Sequence, residues 1–119
     1  MPFFISDISV SPAGDSRANP IPNNSQITIT SEINCLQNNG ELKTYRFTHS
    51  VTGGTIHPAF SESECQPDNT HPNSIRNSHT GILSINGGHG VVNIVITVTV
   101  QDMQTGEIDS GNCAAWVQV

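Results

Sequence analysis

The stretch VVNIVITVTV, residues 91–100, decides the fold. Ile94, Ile96, Val98 and Val100 fall on one face, and Asn93, Val95, Thr97 and Thr99 fall on the other. A period of two with β-branched side chains on both faces marks a central β-strand, because such side chains suit a pleated surface and lose rotamer freedom in a helix. Gly87, Gly88 and Gly90 precede it as turn material.

The same alternation recurs on either side. Gln26 to Cys35 puts Ile27, Ile29, Ile33 and Cys35 on one face, and Leu42 to Ser50 puts Lys43, Tyr45, Phe47 and His49 on its inner one. Asn39-Gly40 between them suits a tight hairpin, so these two strands are expected to pair. Phe3 to Val10 is a first strand with Phe4, Ile8 and Val10 inward, followed by a loop held open by Pro12, Pro20 and Pro22. Ile56 and Phe60 anchor a further short strand. Gly81 to Ile85 turns at Asn86-Gly87-Gly88 into the long strand, and Cys113 to Val119 closes the chain with Trp116 in the core. The expected core joins Ile94, Ile96, Val98 and Val100 to Ile27, Ile29, Phe47 and Val117.

These elements predict one all-β domain over residues 1–119, an antiparallel β-sandwich. An immunoglobulin-like Greek key is favoured, and a jelly roll is second. The immunoglobulin order of Cys, Trp and Cys is absent, because Trp116 follows all three cysteines. Residues 61–80 hold few apolar side chains and are expected to form one long polar loop, a length that points to binding.

Four basic residues stand against ten acidic ones, a formal net charge of −6. That balance disfavours nucleic acid and anionic membranes as partners. The N-terminus lacks the basic and apolar regions of a signal peptide, and no segment is long enough for membrane insertion. An extracellular or surface-associated place is the expectation. Three cysteines allow one disulfide and one thiol, or three free thiols; among the pairings Cys35–Cys65, tethering the base of the polar loop, is favoured over Cys35–Cys113.

No histidine falls in an HExxH pattern. Zinc could draw on His57, His71, His79 and His89 with Asp68 or Cys65, and calcium on Glu62, Glu64 and Asp68 with Asn69, although the spacing is not that of an EF-hand. No other cofactor is implied. Ser63 or Ser78 with His79 supplies the residue types of a triad, but no glycine-framed nucleophile elbow surrounds either serine. The residues therefore point to a non-enzymatic binding module, lectin-like, with Glu64, Asp68, Asn69, His71, Arg76 and His79 as ligand-binding groups. Phe60, Tyr45 or Trp116 would serve as the platform for a sugar ring. The partner is then a glycan. The alternative is a structural or protein-interaction domain of a larger assembly, with Val95, Thr97 and Thr99 as a subunit contact in a homo-oligomer. A small metal-dependent hydrolase ranks third.

Overall fold

In the computed structural model, residues 3–34, 42–65 and 74–119 are described, Cys65 by its backbone alone. Nine strands lie among them: β1 Phe4–Ser11, β2 Ile21–Pro22, β3 Ser25–Asn34, β4 Lys43–Val51, β5 Gly54–His57, β6 Phe60–Cys65, β7 Ser74–Ile85, β8 Val91–Asp102 and β9 Ile108–Gln118. They form a four-stranded sheet, β1-β3-β7-β5, and a five-stranded sheet, β2-β9-β8-β4-β6. All pairings are antiparallel except the short parallel contact of β2 with β9. The protein is an all-β sandwich.

Alternation builds the interior. Ile94, Ile96, Val98 and Val100 of β8 face inward, beside Tyr45 and Phe47 of β4 and Ala115 and Val117 of β9. Across the layers they meet Ile27, Ile29 and Ile33 of β3 and Leu83 and Ile85 of β7. Each inward side chain leaves water without breaking the ladder, which is the main stabilising contribution of such a sandwich. The core expected for β8, β3, β4 and β9 is present.

Several local expectations are corrected. β3 and β4 do not pair: β3 lies between β1 and β7, whereas β4 lies between β8 and β6. Each carries one apolar face, and placing the strands in opposite layers turns both faces into the same core. β7 and β8 likewise belong to different sheets, so the chain around Gly87, Gly88 and Gly90, all at positive φ, crosses between layers and closes no hairpin. In β1 a bulge between Ile5 and Asp7 shifts the parity. Phe3 and Ile5 therefore face inward before it and Ile8 and Val10 after it, leaving Phe4 exposed. Trp116 lies on the outer side of β9 with the Arg17 guanidinium 5.1 Å from its ring, not in the core.

The expected loop over residues 61–80 is largely strand. Residues 61–65 belong to β6 and residues 74–80 to β7, while 66–73 lie outside the described residues. β5 and β6 are two halves of one return from β4. β5 pairs with the Ile82–Ile85 end of β7, and β6, only two residues on, pairs with Lys43–Thr48 of the other sheet. The close approach of β5 requires Gly54, because a Cβ there would sit 2.1 Å from the Ser84 carbonyl oxygen.

A buried ion pair ends the five-stranded sheet. The Lys43 ammonium donates to Asp102 Oδ2 at 3.0 Å, and Asp102 Oδ1 accepts the N–H groups of Gln104 and Thr105 at 2.9 and 3.3 Å. Asp102 thereby fixes the turn from β8 into β9. Burial pushes its carboxyl up, but the Lys43 ammonium and the two N–H groups outweigh burial and hold it below the ordinary value.

Candidate functional site

The residues expected to bind ligand do not converge. Glu64 is exposed on the outer face of β6 in the five-stranded sheet. Arg76 is on the outer face of β7 in the other sheet, paired with Glu32 at 2.9 Å. His79, between the solvent-facing Ser78 and Thr80, is buried between the layers. Asp68, Asn69 and His71 lie outside the described residues, as does the Cys35–Cys65 disulfide. Cys113 is a free, half-buried cysteine, which overturns the Cys35–Cys113 alternative, and burial pushes its thiol up.

His79 belongs instead to a polar cluster that joins the layers. Its ring stacks on that of His49 from β4, with centroids 4.1 Å apart and planes 11° from parallel. A carbonyl only accepts, so His79 Nε2–H donates to the Pro58 carbonyl, and Nδ1 is left to accept the Ser61 hydroxyl at 3.0 Å. By the same reasoning His49 Nδ1–H donates to the Ala59 carbonyl at 3.2 Å. His49 Nε2 is then a bare lone pair, buried and without a partner among the described residues. Asn77 completes the cluster by donating to Ser63 Oγ at 2.8 Å. Burial first, and the neighbouring His79 second, pull His49 down to about 4, so the ring is neutral at ordinary pH.

Ser61, His79 and the Pro58 carbonyl reproduce the contacts of a nucleophile, a base and its orienting group. The ring that would act as base, however, is only 2% exposed and is pinned between two strands and a second imidazole. Proton transfer to a substrate needs an approach to that ring. The cluster accordingly acts as structure, fastening β6 and β7 across the layers.

Two surfaces remain open. The first is the outer face of the five-stranded sheet around Phe60. Phe60 is 52% exposed, with the Arg46 guanidinium 4.8 Å from its ring and Arg46 bonded in turn to Glu62 at 3.1 Å. Register places Thr48, Thr99 and Ser110 in a row beside it, and Ser110 donates to Thr99 at 3.2 Å. Of the three aromatic platforms expected, Tyr45 is buried and Trp116 is half-covered beneath Arg17, which leaves Phe60. Arg46 escaped the sequence reading because it looks like an ordinary solvated charge, and Glu62 entered it only as a calcium ligand; the register of β4 against β6 unites them.

The second is an open groove of about 330 Å³ between β1 and β9, lined by Ile5, Ser6, Asp7, Ile8, Ser110, Gly111 and Asn112. Gly111 lets Ile8 close over β9, since a Cβ there would come within 2.8 Å of the isoleucine Cδ1. Asp109 Oδ2 accepts the Ile5 N–H at 2.9 Å and ties the strands together at one end.

Among the described residues no three His, Cys, Asp or Glu side chains gather as a metal site. His57 is on β5, His79 is in the inter-layer cluster, and His89 is in the crossing after β7. The chain matches no protein-family model and no curated protein.

Proposed function

We propose that the chain is a non-enzymatic binding module that holds a glycan on the outer face of its five-stranded sheet. The observation that carries this reading is Phe60, a large aromatic ring left in water beside a guanidinium, a carboxylate and a row of hydroxyls. A sugar ring presents an apolar C–H face for stacking and hydroxyls for hydrogen bonding, and this surface offers both kinds of contact. Arg46 already covers one side of the ring, so a sugar would stack on the other or displace the guanidinium. The surface is broad and open, which suits the end or edge of a chain of sugars rather than an enclosed monosaccharide.

A glycan array probed with the folded protein, with and without calcium, tests the reading. Phe60→Ala is expected to lower binding roughly tenfold or more, given about 1–2 kcal/mol for such a stacking contact. Arg46→Ala should also weaken it, while Ile82→Ala, an exposed change on the opposite sheet, should leave it intact. Absence of any bound glycan, or binding indifferent to Phe60→Ala, would sink the glycan reading.

A further inference from the structure

The edges of the two sheets are not alike. β1 carries a bulge and Asp7, β2 is two residues long between Pro20 and Asn23, β5 runs for four residues before Pro58, and β6 carries Glu62 and Glu64. Bulges, prolines, charges and short runs are the usual devices that prevent a sheet edge from adding another strand. β9 has none of them between Ser110 and Trp116. It is long and unbulged against β8, and it presents Ser110, Asn112 and Ala114 outward, all small and uncharged.

The backbone there is open as well. β2 covers only Val117 and Gln118. On the side away from β8, Trp116 N–H donates to the Gly14 carbonyl at 2.8 Å and the Gln118 carbonyl accepts from Asn23 at 3.0 Å. Strand alternation puts the N–H and C=O groups of Ser110, Asn112 and Ala114 on that same side. Among the described residues these groups have no strand partner, because β1 belongs to the other sheet. The gap that separates them from β1 is the groove already described.

We propose that the β9 edge from Ser110 to Ala114 takes an extended segment of a partner protein as an added strand. Its alternate side chains would point into the groove against Ile5 and Ile8, and a basic side chain would reach Asp7 or Asp109. Charge selects this occupant over a second copy of the chain. Arg17, Lys43, Arg46 and Arg76 are each engaged elsewhere, with Trp116, Asp102, Glu62 and Glu32 respectively. Asp7 and Asp109 thus lack a counter-charge among the described residues, and a copy carrying a net charge of −6 supplies none in surplus. Main-chain hydrogen bonds would provide affinity, and the groove with its two carboxylates would provide preference. This proposal does not rest on the Phe60 reading: the two surfaces share Ser110, by its hydroxyl in one and its backbone in the other, and the β9 edge is open whether or not glycans bind.

The test uses the whole chain and a defined probe, a blocked peptide of about eight residues alternating valine with lysine and threonine. Amide exchange of the free protein should be fast at Ser110, Asn112 and Ala114, and saturating peptide should slow it at these three residues roughly tenfold or more. N-methylation of the peptide residues that face β9 should abolish the effect, whereas N-methylation of the intervening ones should not. Replacing lysine by glutamate in the peptide should also weaken binding. Asn112→Pro removes one outward N–H that β8 does not use; it should keep the fold and lose the peptide. Should that variant misfold, the two methylated peptides still decide. Equal binding of both would overturn the proposal, as would protection of these amides without peptide that rises with protein concentration, the mark of self-pairing.

Discussion

Asp102→Ala is expected to remove about 3–5 kcal/mol of folding free energy, because it leaves the Lys43 ammonium buried without its carboxylate. The same change strips the Gln104 and Thr105 N–H groups of their acceptor, so the turn into β9 loses its organiser together with the charge balance. Lys43→Met should cost less, since the carboxylate keeps those two donors. For a domain whose whole stability is about 5–15 kcal/mol, either loss is large. Urea midpoints at neutral pH measure it directly. An Asp102→Ala protein within about 1 kcal/mol of the parent would show that water reaches this pair and screens it.

Acid is expected to weaken the fold in two stages. An unfolded histidine takes up its proton near pH 6.5, but folded His49 resists until about 4. Below pH 6.5 the unfolded state therefore binds a proton that the native state does not, and stability falls as pH falls. The shift corresponds to about 3 kcal/mol lost between pH 7 and pH 4, where that contribution levels off. Asp102 acts in the next window. Its carboxyl is held below 3.8, so its contribution is present above that value and is lost as pH drops through the depressed one. His49→Leu separates the two stages. The Ala59 carbonyl keeps the His49 backbone N–H at 2.7 Å, so the variant folds with that acceptor satisfied. It should lose most of the slope between pH 7 and 4 while retaining the loss below. An unchanged slope in urea midpoints taken across that range would place the responsible group elsewhere.

Sequence periodicity exposes those strands whose inner faces are hydrocarbon. β8, β3 and β4 alternate Ile, Val, Phe and Tyr with polar residues, and their interiors follow directly. β6 and the first half of β7 alternate just as strictly, but apart from Ile75 their inward residues are polar: Ser61, Ser63, Asn77 and His79. A hydropathy pattern registers burial only where the buried groups are apolar, so an interior made of hydrogen-bonded polar groups passes for a loop. The extra residue in β1 inverted the facing of Phe4 for a different reason: parity counts assume an unbulged strand. The candidate surface was still less legible. Phe60 appears in the sequence as an anchor for a short strand, and only cross-strand register brings Arg46, Glu62 and the hydroxyl row beside it.

The return segment from Gly54 to Cys65 bonds first to one layer and then to the other. Sandwich layers usually adhere through side chains that interdigitate between their inner faces. Here a single run of main chain is stitched to β7 at one end and to β4 at the other, with two imidazoles clamped over the seam. Peeling β6 from β4 drags on β5 and hence on the opposite layer. That margin of the molecule behaves as a hem rather than a free border, and the slack in the fabric lies along β9.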